Sequence, residues 1–374
     1  VLKRLVIALT VSSAIAAAPA PAAEATSMRA AVADLAKDIQ ELLASRGEKS
    51  LTVGAISGPA NFAASAGPGV QQMLADRLRQ FGVTVEAPAN LAVEGRYHLD
   101  EVPSDDPADR GFGVKLLAVT FELSVVDRFG KPVVNSSIKR TVRDESALLA
   151  LVGGSAEPAT EPEPRKRDEE LRRILDTRSA PAVSIAGGRV MAKKGSPYAI
   201  ELIVAGRPRA AELKNGLAFT GIRPGEAYAV RLINDSDQEA AAQLFIDGIS
   251  AFAFSEDRLS DGPRKGEPRY SHFIVPPHAS VVVRGWHRTN SESEEFLVTD
   301  YSKSAAAKLL RPAAGVGTVT AMFAASWRET DRPPADEPPR RKGTGFGARV
   351  PAPFEEVKRE VGVVRAAVSV RYER

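Results

Sequence analysis

The 374-residue chain contains no cysteine. Disulfides, cysteine-ligated zinc or iron–sulfur sites, a thiol nucleophile and a cysteine-borne lipid anchor are therefore not expected. Burial and hydrogen bonding alone must hold the fold. Aromatic residues are scarce at 6%, with two Trp, and there are only four His. Neither sign of charge dominates: 50 Lys and Arg against 47 Asp and Glu leave +3. A nucleic-acid binder concentrates cations on one face to neutralise phosphates, so no nucleic-acid partner is expected. No apolar run reaches the roughly 20 residues of a transmembrane helix. Neither G-x-S-x-G nor H-E-x-x-H occurs, which removes the local signatures of serine hydrolases and zinc proteases. The glycine-rich GTGFG at 343–347 follows a Pro/Arg loop and precedes no phosphate-binding lysine, so it reads as a flexible loop. No catalytic residue, cofactor or metal is expected, and the protein reads as a non-enzyme.

What is present is punctuation. Gly 29 and Pro 26 favour many turns and short strands over long helices. Residues 1–25 carry the three parts of a secretory signal: Lys3 and Arg4, an apolar run at 5–18, and the small-residue site Ala23-Glu24-Ala25. A cleaved signal peptide and a periplasmic or secreted location are expected. Residues 26–152 open with a helix that Ser27 can cap and Gly47 stops, its stripe being Val32, Leu35, Ile39, Leu42 and Leu43. The strand LTVGAI, the amphipathic helix VQQMLADRLRQFG, the strands VTVE and LAVEGRYHLD, and a pair of strands turning at 128–131 follow. This order predicts an α/β layered domain.

The run LTVGAI, loop, VQQMLADRLRQFGVTVE, LAVEGRY and VVDRFGKPV resembles the extracytoplasmic α/β module of envelope lipoproteins that assist curli export or activate penicillin-binding proteins. The resemblance covers about a third of the chain. It implies a non-catalytic scaffold that binds other envelope proteins. The chain departs from that pattern in lacking a lipid-carrying cysteine.

Residues 153–181 alternate Glu and Pro and then run into charge, and read as a linker. From 182 to 374 the chain is a series of short strands separated by turn signals, predicting an antiparallel β-sandwich with a polar loop at 331–347. The fold class is thus α+β, an α/β layered domain followed by a β-sandwich domain, each expected to bury its own core.

The stretch RYSHFIVPPHASVVVRGWHRTN, 269–290, holds three of the four histidines. Pairing HFIV with SVVVRGWH as a hairpin across PPHA sets His272 opposite Val283, on one face with His287. The two imidazoles then stand about 13 Å apart along the strand at ~3.3 Å per residue, with His278 in the turn. Such spacing cannot supply zinc ligands at about 2.0–2.1 Å, so strands are expected and not a metal centre. Trp286 is expected in the core; an alternative makes Trp286, Tyr270 and His287 a ligand surface. The NDSD run at 234–237 lacks the glycine and distal glutamate of a calcium loop and reads as a solvated turn. Asp247-Gly248 reads as a strand-ending turn.

The leading functional reading is an exported, non-catalytic binding or scaffold protein whose partner is an envelope or extracellular protein. One alternative is an extracytoplasmic hydrolase assembled from His272, Asp247 and Glu256. Another is a carbohydrate-binding sandwich that takes a polysaccharide on Trp286 and Tyr270.

Overall fold

The computed structural model describes residues 28–58, 67–103, 113, 115–134, 137–143, 148–149, 151, 155–157, 166, 169, 183–214, 216–262, 265–298, 317–337 and 356–373. The first part contains α1 (Met28–Ser45), β1 (Ser50–Ser57), α2 (Gly67–Gln80), β2 (Thr84–Val85), β3 (Leu91–Pro103), β4 (Lys115–Asp127) and β5 (Ile138–Val142). Its strands form one sheet in the order β2-β1-β3-β4-β5. β1 runs parallel to β2 and β3, and the other pairs are antiparallel.

Local pattern explains these elements. Val32, Leu35, Ile39 and Leu43 recur at helical spacing along α1, and all are buried. Gly47 then takes φ +73°, the left-handed conformation that ends a helix. The expected cap Ser27 lies outside the described residues. α2 starts at Gly67, ahead of the expected Val70. Val93 and Tyr97 of β3 pack with Phe121, Leu123 and Val125 of β4 and with both helices in one core. The alternate residues face away from the helices, where Glu122 pairs with Arg96 at 2.7 Å and Lys139 at 2.8 Å. The turn at 128–131 does follow β4, but the ladder with β5 begins only at Leu123–Ile138.

The second part is all strand among its described residues: β6 (Ser184–Ala186), β7 (Arg189–Met191), β8 (Tyr198–Val204), β9 (Arg207–Pro208), β10 (Ala211–Lys214), β11 (Leu217–Gly221), β12 (Ala227–Asn234), β13 (Ala240–Ile246), β14 (Ile249–Ser250), β15 (Phe273–Val275), β16 (Ala279–Val283), β17 (Gly285–His287), β18 (Ser293–Leu297), β19 (Thr318–Trp327) and β20 (Glu360–Glu373). One sheet orders β10-β11-β20-β19-β13-β14, with β15 also on β13. Another orders β17-β18-β12-β8-β7-β6, with β16 on β12 and β9 on β8. Pairing is antiparallel except between β11 and β20. Inward residues of both sheets share a single apolar cluster, from Ile200, Leu202 and Val230 on one to Leu244, Phe323 and Val368 on the other.

Two expectations are corrected here. HFIV and SVVV do not form a hairpin: β15 pairs β13 in one sheet, and β16 pairs β12 in the other. Pro276 and Pro277 have no N–H to give a hairpin ladder, and they carry the chain across from sheet to sheet. Within the series of strands expected from 182 onward, FAFSE (252–256) is not one; 251–254 turn, with Ala253 N–H donating to Ser250 O and Ser255 N–H to Phe252 O.

Asn234 fastens the crossing. It ends β12, is fully buried, and its Nδ2 donates to Gln238 O at 2.7 Å, Val275 O at 3.0 Å and Pro276 O at 3.1 Å. Its Oδ1 accepts from Ser236 N–H and Oγ–H. The solvated turn expected at 234–237 is therefore solvated only beyond its first residue.

The two parts touch directly. α2 lies against β14 and its turn, where Gly69 approaches Gly248 so closely that an added Cβ would stand 1.8 Å from Gly248 O. Arg77 reaches Glu267 at 2.7 Å with both side chains largely buried. Of the expected linker, Ser155–Glu157 is described, and Ala156 exchanges backbone hydrogen bonds with Ala367 of β20 at 2.9 and 2.6 Å. Leu149 and Ala156 share a small apolar cluster with Met322, Val364 and Ala367. Among the described residues no helix is long and apolar enough to cross a membrane.

Candidate functional site

The turn after β14 and the loops around β17 bring together the polar groups that the sequence singled out. His287, at the end of β17, is 2% exposed, and its ring stacks obliquely against Phe252 and edge-on to Tyr270. Nδ1 lies 3.1 Å from Ser255 Oγ and Nε2 lies 3.0 Å from Asn290 Oδ1. Asn290 Nδ2 donates to Tyr270 OH at 2.9 Å, which turns Oδ1 toward the imidazole. Nε2 therefore carries a proton donated to Asn290 Oδ1, while Nδ1 lies against a Ser255 hydroxyl that also donates to Asp257 O at 3.2 Å. Burial lowers the His287 pKa, partly offset by the Asn290 bond and the charge of Asp257.

This chain of Ser, His, Asn and Tyr superficially suggests nucleophilic catalysis. Geometry opposes it. Ser255 is 1% exposed, so no acyl group reaches its Oγ. A metal fares no better at His287, because one ring nitrogen bears hydrogen and the other lone pair is already engaged. The network acts as an internal brace for loops that have little regular structure.

The other histidines stand elsewhere. His278 occupies the crossing turn with φ +49° and pairs with Asp237 at 2.9 Å. His98 lies on the polar face of the first sheet, 4.0 Å from Asp100. His272 Nδ1 contacts Ser271 Oγ at 2.9 Å, and burial pulls its pKa from 6.5 to about 4. Among the described residues no group of three or more His, Asp or Glu is placed to hold a metal.

His272 carries a pH prediction. The folded state keeps it neutral below the pH at which the unfolded chain takes up a proton. Stability from this residue is therefore complete above pH 6.5 and is lost as pH falls toward about 4. The expected loss is about 2–3 kcal/mol. Urea midpoints measured across that window should slope in the native protein and slope less in His272→Gln, the share of buried His287 remaining; equal slopes would refute the assignment.

The remaining residues of the hydrolase alternative are spent separately. Asp247, with φ +52°, accepts from Thr318 N–H at 2.9 Å and Gly317 N–H through Oδ1, and from Tyr372 OH at 3.1 Å through Oδ2. It pins the β13–β14 turn to β19 and β20. Glu256 is exposed and paired with Arg288 at 2.8 Å. Trp286 is 8% exposed and meets Phe254 and Phe296 edge-on, while Tyr270 is half-buried beside Phe252. An aromatic platform for sugar needs an open ring face, and Trp286 offers none. Ser255 and Asn290, central to this region, were missed by sequence reasoning. Only the chance proximity of polar turn residues to His287 hinted at them.

A concave surface does exist on the outer face of the sheet containing β12. It encloses about 650 Å³ between β8, β12, β16 and β18. Ile203, Ala229 and Val282 form its floor, with Arg231, Arg284 and Glu295 among the charged residues around it. Arg231 is paired with Glu201. Arg284 and Glu295 are exposed and make no ion pair among the described residues.

Neither known protein-family models nor curated proteins match this chain.

Proposed function

We propose that this is an exported binding or scaffold protein of a bacterial envelope or extracellular space, acting on protein partners without catalysis. In this reading the first part is a two-layer α/β module and the second a β-sandwich, each presenting a surface. The observation that carries it is the contrast just described. Among the described residues, His287, Ser255, Asp247 and Glu256 are buried or paired internally, whereas the groove over Ile203, Ala229 and Val282 is open, apolar-floored and edged by unspent charge. Such a surface suits an extended protein segment more than a reacting small molecule. Support for export comes from the basic pair Lys3 and Arg4, the apolar run and the small-residue site after it.

The test uses the purified protein immobilised against a solubilised envelope fraction. Capture of a partner should be saturable, and Val282→Asp with Arg284→Glu should weaken it by at least about tenfold, a loss typical of an interface anchor. A hydrolytic turnover abolished by His287→Ala or Asp247→Asn in folded protein would overturn the non-catalytic reading.

A further inference from the structure

The far end of the first sheet presents an aromatic ring that the fold does not require. Phe129 is 78% exposed, well above the other exposed large apolar residues described. It sits third in the turn Asp127-Arg128-Phe129-Gly130. Asp127 makes that turn by accepting from Phe129 N–H at 2.9 Å and Lys131 N–H at 3.0 Å through Oδ1, and Gly130 by taking φ +78°. Gly130 N–H closes it onto Asp127 O at 2.9 Å. Turn chemistry demands Asp and Gly at their positions but leaves the third open. A phenyl group held out there costs solubility and returns nothing to the core.

The surroundings are cationic. The Arg128 guanidinium lies 4.7 Å from the Phe129 ring centre, Lys131 follows the turn, and Arg46 reaches Val133 O from the end of α1. Register places the starts of β1 and β3 at this same end, since Leu91 pairs Asp127. Lys49 therefore stands here too, as does Phe81, 42% exposed just after α2. β1 lies two strands from β4, so Lys49 stands about 10 Å from the turn and Phe81, leading into β2, one strand spacing further. Glu48 and Glu86 lie toward β1 and β2. Among the described residues of the turn, Arg128 and Lys131 flank the ring and the one carboxylate, that of Asp127, is turned into the hairpin.

We propose that this end of the first sheet docks on an anionic lipid surface, with Phe129 entering the headgroup layer and Arg46, Lys49, Arg128 and Lys131 meeting the lipid charge. The tip is convex. A protein partner would need a matching pocket, whereas a fluid interface accepts a protruding ring flanked by cations with none. Because hydrogen bonds already fix the turn, little ordering is lost on contact. One ring and a few cations give reversible, salt-sensitive attachment.

The experiment is co-sedimentation of the protein with vesicles of phosphatidylcholine alone or mixed with phosphatidylglycerol. Binding should appear with the anionic vesicles and fade with added salt. Phe129→Ser and, independently, Arg128→Glu with Lys131→Glu should each lower it by at least about tenfold. All three positions are exposed, so far-UV circular dichroism should be unchanged. Equal binding to both vesicle types, no binding to either, or wild-type binding by both variants would overturn the proposal. Capture by soluble polyglutamate with no vesicle binding would also overturn it, in favour of an acidic protein.

Discussion

Asn234→Ala is expected to lower the unfolding free energy by about 3–5 kcal/mol, the range for breaking a buried hydrogen-bond network. The side chain is fully buried, and its amide serves three carbonyl oxygens from two different crossings between sheets. Alanine would remove the donor to Val275 O inside the core and release Gln238 O and Pro276 O at its edge, where the Ser236 hydroxyl still reaches Gln238 O, and would free the Ser236 turn as well. Ser236→Ala is the comparison: it removes the hydroxyl bond to Asn234 Oδ1 but keeps all three carbonyl contacts, and should cost about 1 kcal/mol. Urea denaturation of both variants decides the matter. A loss below about 1 kcal/mol for Asn234→Ala would mean that the crossings hold without it.

Gly69→Val should act on the contact between the two parts. A Cβ at this position would meet Gly248 O at 1.8 Å, and backbone cannot swing aside as a side chain does. The expected cost is about 2–4 kcal/mol, that of overpacking a closed contact. Because α2 would lift from the β13–β14 turn, the Arg77–Glu267 pair should open to solvent too. Denaturation should then separate into two transitions as the parts lose their mutual support. Gly221→Ala, where the added carbon meets nothing within 4 Å, is the control. A single transition with an unchanged midpoint in Gly69→Val would show that the close approach at Gly69 contributes nothing to stability.

Sequence periodicity read well wherever an element settles its own burial. The α1 stripe and the strands at LTVGAI, LAVEGRYHLD and YAIELIV stand where alternation or helical spacing placed them. Partner choice was another matter. Alternation tells which face of a strand turns inward but not which strand lies beside it, so β15 and β16 were joined across PPHA. The two prolines were the available warning, since neither has an N–H for a hairpin. The His287 network was illegible for a related reason. Ser255, Tyr270 and Asn290 come from separate loops, and no spacing rule links them. Asn234 was misread because a strand-ending Asn before Asp-Ser-Asp looks like water-facing turn chemistry, and only the crossing buries it.

The position of β20 has a consequence for synthesis. This strand lies between β11 and β19, with Tyr372 beside Thr220 and Val370 beside Val319. Both neighbours leave the ribosome before it does. Until β20 is made, its sheet has a gap in the middle, and Ala366, Val368 and Val370 are not there to seal the core. A nascent chain in that condition exposes two strand edges and has only long-range pairings left to form, which makes closure slow. It is the natural client of a holding chaperone. The sheet locks only after its central strand arrives.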